Sequence, residues 1–430
     1  MMFLVGRNVV VIRFLLRFII LVLLNLQVFF SVNVRAITFD YGFSQSIESS
    51  SNILLVPEVL DNGEYEDTTN ISTIYLRVNE DSADFKGFVD LNVNYIDFEK
   101  NVASDVTRNH LNSDFLWTIT PGHYSWLLND SYTQTRTDPS LLFNESNTQN
   151  VNVLGTGPRF EWKVQDNVIY LDSYVYNYNY SVTDNDSTNI VSSLRWSKKM
   201  PSGMKMSLNV STTIVSYDNP DEFTDYDKSS TGVSFQYIRE INSFDIFYGK
   251  TFLNSDDVSR NEFSNSNILF SRKLSRFSKV DITYINGLSD QNDAIDTGGT
   301  VLSGVFVNKR SAISYQRESS GLGLNINVFD GERKSSDTGY LDAQKGSEIS
   351  ITRALSPRSR IQISYSDAQS KVNGGVEYDD DTYNKRLEYI KRFNNRFSLK
   401  MFVSELFVKS SDVLRQYTDK RVGITFSISR

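Results

Sequence analysis

The chain has 430 residues, with 44 Lys and Arg against 52 Asp and Glu, two His, no Cys and a formal net charge of −8. That balance excludes a basic nucleic-acid-binding domain, which needs a cationic face and a high pI, and the absence of Cys excludes thiol nucleophiles, disulfides and Cys-ligated zinc. With 13% aromatic residues, 23 Tyr and 28 Phe among them, and a mean hydropathy of −0.34, neither a disordered chain nor a helical membrane bundle fits. What remains is a large, aromatic, polar, all-β protein, with no cofactor, no metal and no nucleic-acid partner expected.

Residues 1–36 read as a cleaved secretory signal peptide. Arg7 to Arg17 is basic and apolar, an apolar stretch opens at Phe18 to Leu24, and Val34-Arg35-Ala36 supplies the small residues of a cleavage site. The alternative is an uncleaved N-terminal anchor helix. Because all four leader charges are Arg, its removal leaves 394 residues with 40 basic against 52 acidic side chains, a net of −12. No later segment approaches the roughly 18 to 20 consecutive apolar residues of a spanning helix, so a mature protein that crosses a membrane crosses it as strands. Residues 37–430 read as one domain.

From Ile37 onward the dominant pattern has period two. Met204, Met206, Leu208, Val210, Thr212 and Ile214 fall on one side of a segment whose other side is Lys205, Ser207, Asn209, Ser211 and Thr213. Phe85, Val89, Leu91, Val93 and Tyr95 oppose Lys86, Asp90, Asn92 and Asn94, with Phe88 as the exception on the polar side. Phe397, Leu399, Met401 and Val403 form a further apolar row, which Glu405 interrupts unless it reaches an interface. Such segments meet a different solvent on each face.

Short connections at Pro121-Gly122, Gln165–Asn167, Lys199–Gly203, Asn242-Ser243, Ser275–Phe277, Ser356–Ser359 and Asn394-Asn395 alternate with longer polar ones. The longer ones lie at Asp138–Asn150, Thr183–Thr188, Asp218–Ser230, Asn254–Asn261, Ser289–Gly299, Arg333–Gly346 and Asp367–Asp381. A meander with two unlike ends produces that alternation, and outer-membrane barrels have short periplasmic turns and longer outside loops. In the bilayer core no water satisfies backbone groups, so the sheet must close. The expectation is a transmembrane antiparallel up-and-down β-barrel of about 18–20 strands, in the outer membrane of a Gram-negative bacterium, with both termini in the periplasm. A secreted soluble β-sandwich, which also alternates, is the rival fold. The acidic runs Asp218–Asp227 and Glu377–Asp381 read as solvated loops, the sharper alternative being divalent-cation bridging to lipopolysaccharide phosphates.

The C-terminal run Arg421-Val422-Gly423-Ile424-Thr425-Phe426-Ser427-Ile428 resembles the β-signal read by the outer-membrane assembly machinery, with Arg421, Gly423, Phe426 and Ile428 at its marked positions. Val422, Ile424, Phe426 and Ile428 are expected to face lipid, and Arg421, Thr425 and Ser427 to face inward. Typical members stop at an aromatic residue, whereas here Ser429-Arg430 follow. Two further stretches, Ser50-Ser51-Asn52-Ile53-Leu54-Leu55-Val56-Pro57 and Asn147-Thr148-Gln149-Asn150-Val151-Asn152-Val153 running into Gly155-Thr156-Gly157-Pro158, are similar to elements of the porin-like outer-membrane β-barrel proteins found with exopolysaccharide and exosortase loci. That resemblance implies a barrel taking part in the synthesis or export of an extracellular polysaccharide, with outer-membrane lipids, lipopolysaccharide, the assembly machinery, a polysaccharide and periplasmic export components as partners. It carries no catalytic residues. Pro158 removes a ladder donor, so a bulge or the start of pairing is expected there.

His110 and His123 fall at opposite ends of one segment, with no nucleophile motif around either and no G-x-S-x-G in the chain, so no enzymatic activity is expected. Tyr170, Tyr174, Tyr176, Tyr178 and Tyr180 share one side of a segment with Asp172, while Ile169, Leu171 and Val175 hold the other. Facing the lumen, those rings would form a stacking track for a glycan. Facing lipid, they would form an interface girdle. Lys86, Asp90, Lys205 and Lys400, all expected inward, carry both signs and leave the charge of the polymer open, a neutral or mixed one being slightly favoured. A general diffusion porin for small solutes and a structural or adhesive surface barrel are the alternative functions.

Overall fold

A computed structural model describes residues 37–61, 63–137, 148–201, 203–219, 224–255, 258–290, 305–335, 341–373 and 377–430. The expected leader, 1–36, lies outside them. Twenty strands follow in chain order: β1 (Thr38–Ser50), β2 (Asp67–Asp81), β3 (Phe85–Phe98), β4 (Val106–Thr120), β5 (Tyr124–Arg136), β6 (Thr148–Val164), β7 (Asn167–Tyr180), β8 (Ser187–Lys199), β9 (Met204–Tyr217), β10 (Tyr226–Ile238), β11 (Asn242–Ser255), β12 (Val258–Ser275), β13 (Ser278–Asp290), β14 (Val305–Ser319), β15 (Leu322–Ser335), β16 (Leu341–Ser356), β17 (Ser359–Asn373), β18 (Tyr378–Arg392), β19 (Phe397–Ser410) and β20 (Tyr417–Ser429). One 3-10 turn, Val413–Arg415, precedes β20.

Each strand pairs antiparallel with the next, and β20 returns to β1 with Arg421–Ser429 against Gly42–Ser50. The sheet therefore has no free edge. Every backbone donor and acceptor of the wall can find its partner within the wall, which is the condition for spanning hydrocarbon.

The two faces differ as the sequence pattern requires. On β9, Leu208, Val210 and Ile214 are 43%, 53% and 42% exposed, whereas Ser207 and Val215 on the other face are buried. Side chains splay apart on the convex side of a closed wall and converge on the concave side. The open apolar rows are thus outside. Rows of this kind run around the ring through Phe39, Phe43 and Ile47 on β1, Leu171 and Val175 on β7, Ile313 on β14, Ile363 on β17, and Val422, Phe426 and Ile428 on β20. An apolar exterior that large is out of place on a soluble protein. This is a transmembrane β-barrel of the outer-membrane type.

One rim carries connections of only two to four residues, such as 82–84, 165–166, 276–277 and 357–358, and the opposite rim carries the longer ones, including 51–66, 99–105 and 218–225. The first strand starts and the last strand ends at the short-connection rim, which is the periplasmic one. Three connections expected to be long are shorter. The pattern places connections at Asn254–Asn261, Arg333–Gly346 and Asp367–Asp381, yet the strands run on until only 256–257, 336–340 and 374–377 remain between them. Above the bilayer both faces of a strand meet water, so the ladder continues where the apolar alternation stops. For the same reason Asp379–Asp381 are not loop residues: they lie on β18, and buried Asp380 is ion-paired with Arg415 at 3.1 Å.

All four Trp of the chain share one feature that spacing along the sequence does not reveal. Trp117 on β4, Trp126 on β5, Trp162 on β6 and Trp196 on β8 belong to the outward face near the short-connection rim, with Trp117 opposite Trp126 and both Trp162 and Trp196 opposite Ile169. Indoles at that level form an aromatic girdle at the periplasmic interface of the bilayer. In liposomes, the intrinsic tryptophan fluorescence is expected to be strongly quenched by lipids brominated close to the headgroup and little by aqueous acrylamide. The opposite order would remove these residues from the lipid boundary.

The stretch Ser50–Pro57 forms a clasp across the closing strand pair at the outer rim. Ser50 Oγ donates to Asp419 Oδ1 at 2.6 Å, and Arg421 pairs with the same carboxylate. Asn52 holds the loop by donating to the Val56 carbonyl at 2.7 Å and accepting from the Val56 N–H at 2.8 Å. Beyond Pro57, the Glu58 carboxylate accepts from Thr418 Oγ1 at 2.8 Å and Gln416 Nε2 at 3.1 Å. The motif thus joins the first long connection to the last. Gln149, in the other motif, plays a similar part on β6, accepting from the Thr183 N–H and Oγ1 at 3.1 and 2.8 Å.

Candidate functional site: the inner wall of β6 to β9

The inner face of β7 is set by its outward one. With Leu171 and Val175 directed to lipid, strand alternation turns Tyr170, Asp172, Tyr174, Tyr176, Tyr178 and Tyr180 into the barrel. The five tyrosines are therefore lumenal in direction, but they are not equally open. Tyr174, Tyr178 and Tyr180 are buried, the last two against Val151 and Val153 of β6, while Tyr170 and Tyr176 are half-buried. Successive ring centroids, Tyr174 to Tyr176 and Tyr176 to Tyr178, are 6.2 and 6.4 Å apart.

The seat of this column is glycine. A Cβ on Gly155 would stand 2.4 Å from the Tyr176 ring, and one on Gly157 would stand 2.0 Å from the Ser173 carbonyl oxygen. Side chains at those positions would lift the tyrosines off β6. Pro158 sits beside them on the outward face. Bridges between β6 and β7 lapse at Gly157 and Pro158 and resume at Arg159 opposite Asp172 in the same register, so the missing donor leaves a gap in the ladder and not a bulge.

Charged groups complete the wall. Arg159 Nε donates to Asp172 Oδ1 at 2.8 Å, and the Arg195 guanidinium of β8 lies 4.6 Å from the centre of the Tyr170 ring. Asn209 of β9 faces Arg195 across the next ladder. Half-buried aromatic surface, phenol hydroxyls, two guanidinium groups and an amide are what bind polyhydroxylated rings: the rings stack on apolar C–H faces, and the polar groups exchange hydrogen bonds with hydroxyls.

The remaining predicted residues are placed as follows. Arg421 faces inward beside Asp419, and Thr425 lies inward in contact with Ser46 Oγ at 2.9 Å. Gly423 carries the Phe402 ring on its inner side, and Phe426 and Ile428 are outward and about half exposed. His110 faces the lumen on β4, opposite Asn92, whereas His123 is in the 121–123 turn, separated from it by about 30 Å of strand. Glu405, which interrupts an apolar row in the sequence, lies outward above Val403 with Lys385 Nζ at 3.0 Å and Lys420 Nζ at 4.0 Å. It has reached the level where charge is solvated. Among the described residues no group of three or more His, Cys, Asp or Glu is arranged to hold a metal ion.

No family model and no curated protein matches the sequence. Among solved structures, the chain is similar to the ferric enterobactin receptor PfeA of Pseudomonas aeruginosa, at 10% identity and a TM-score of 0.48 over 91% of this chain and 80% of that one. It is similar also to the siderophore receptor PirA of the same organism (10%, 0.45, 91% and 80%) and to the FrpB iron transporter of Neisseria meningitidis (10%, 0.44, 90% and 81%).

Proposed function

We propose that this outer-membrane barrel is a passage for a carbohydrate polymer and takes part in exopolysaccharide export or assembly without chemistry of its own. The observation that carries the reading is the inward direction of the tyrosine column, with Tyr170 and Tyr176 presenting ring surface beside Arg159, Asp172 and Arg195. It agrees with the resemblance of the Ser50–Pro57 and Asn147–Pro158 stretches to barrels found at polysaccharide loci. Among the described residues the strands and one 3-10 turn are the only regular elements, and none crosses the ring. A polymer would find a continuous polar wall along which to slide, with no covalent step asked of it.

Planar-bilayer conductance tests this. Glucan oligomers are expected to occlude the pore transiently, and Tyr170→Ala with Tyr176→Ala to weaken occlusion by roughly five- to hundred-fold, the loss of two stacking contacts of about 0.5–1.5 kcal/mol each. A large steady current indifferent to added glycan would replace the reading with a general diffusion porin. In the native cell, deletion is expected to reduce surface polysaccharide. Unchanged polysaccharide with lost attachment would instead identify a structural or adhesive barrel.

A further inference from the structure

Charge at the periplasmic mouth deepens this reading. Around that rim, some inward-facing cations are matched by carboxylates: Lys86 with Asp81 at 3.1 Å, Lys163 with Glu161 at 2.8 Å, and Lys279 with Asp281 at 2.8 Å. Lys199 and Lys205 are not. They are the last inward residue of β8 and the first of β9, and they stand directly opposite each other in the ladder. Both are exposed, and neither forms an ion pair among the described residues. Like charges opposed across a strand pair destabilise the pairing, so the arrangement costs the fold something that no neighbouring acid returns.

The two lysines line a recess of about 350 Å³ with Asp166, Val168, Ser197 and Gln236. Its floor is held still by the Ser197 and Ser207 hydroxyls, 2.9 Å apart. Of the carboxylates nearby, Asp166 stands at the edge of the recess without pairing with either lysine, and Asp245 accepts from Gln236 Nε2 at 3.2 Å. The next inward residues on β8 and β7 are Arg195 and Tyr170, the foot of the tyrosine column. The recess therefore opens onto the wall already described, at the end a polymer from the periplasm meets first.

We propose that Lys199 and Lys205 form an anion-binding recess that selects an acidic glycan, engaging a carboxylate or other anionic substituent of the polymer as it passes to Tyr170 and Arg195. The proposal rests on the passage reading above. It also answers a difficulty that net charge raises: a mature chain of net −12 repels a polyanion unless the wall offers a local positive site.

The test uses the full mature chain in planar bilayers, with oligogalacturonate and maltooligosaccharides of matched length added to the side of the short connections. The acidic oligomer is expected to occlude the pore at roughly ten-fold lower concentration than the neutral one, a preference that shrinks as salt rises. K199Q/K205Q should abolish the preference and leave neutral occlusion unchanged, and K199R/K205R should keep it. Both lysines are solvent-exposed, so the variants are expected to assemble normally, which heat-modifiable gel migration verifies. Equal occlusion by both oligomers, or a preference that survives K199Q/K205Q, overturns the charge selection while the passage reading stands. Occlusion by neither overturns the passage reading and this proposal with it.

Discussion

Gly423→Val is expected to leave most of the protein unassembled. On β20 this glycine lies on the inner face, where a Cβ would come within 2.5 Å of the Phe402 ring and 3.1 Å of Glu48. Phe402 is itself nearly buried, 5% exposed, with the Arg386 guanidinium 4.0 Å from its ring centre. It has no free direction in which to move. Forcing a branched side chain beneath it costs about 3 kcal/mol of overpacking, and the cost falls on the strand that pairs with β1 and closes the ring. An unclosed barrel leaves two strand edges in hydrocarbon, which the bilayer does not tolerate. The measurement is the fraction of chain that migrates as the compact species in an unheated gel, expected to fall well below half. Gly423→Val combined with Phe402→Ala should recover part of it. Recovery is the informative arm, since it separates crowding of the ring from a loss of recognition by the assembly machinery, which the second substitution would not repair.

Gly155→Val should affect the candidate site as well as stability. The new Cβ would fall 2.0 Å from Asn129 Oδ1 and 2.4 Å from the Tyr176 ring, so both neighbours must shift. Tyr176 then leaves its seat and disturbs Tyr174 and Tyr178, whose rings pack on either side of it. A destabilisation of about 2 kcal/mol is expected in a denaturant titration of the barrel in detergent or lipid, together with glycan occlusion weaker than that of the parent protein. Gly287→Ala is the control. Its Cβ would meet nothing nearer than Asn265 Oδ1 at 3.4 Å, and it should change neither quantity. If Gly155→Val lowered stability but left occlusion intact, the tyrosine column would be packing for the wall and not the surface a glycan touches.

Much of the exterior was legible from local alternation. Whether Val422 and Phe426 face lipid depends only on their parity relative to Thr425, and parity survives any error in strand boundaries. The rims were less legible. Near Asn254 and Asp367 polar residues occupy both faces, and a solvated strand cannot be told from a loop by hydropathy. The tyrosine column shows both limits at once: its inward direction follows from Leu171 and Val175 on the opposite face, but the burial of Tyr174, Tyr178 and Tyr180 depends on β6 presenting Val151, Val153 and two glycines at matching heights.

The sequence by itself determined a meander of strands with one greasy and one wet face, because period two is written in neighbours two residues apart, and the closure of β20 on β1 decided for a membrane wall over a sandwich. Only the tertiary structure decided what stands opposite what. Lys199 facing Lys205, Ser50 reaching Asp419, and four tryptophans gathered at one level are products of register and closure. Those relations join residues up to 369 positions apart, as in the Ser50–Asp419 bond. A ladder can slip by two residues and keep every local alternation intact, so no local pattern encodes them; the hydrogen-bonded closure of all twenty strands fixes them together.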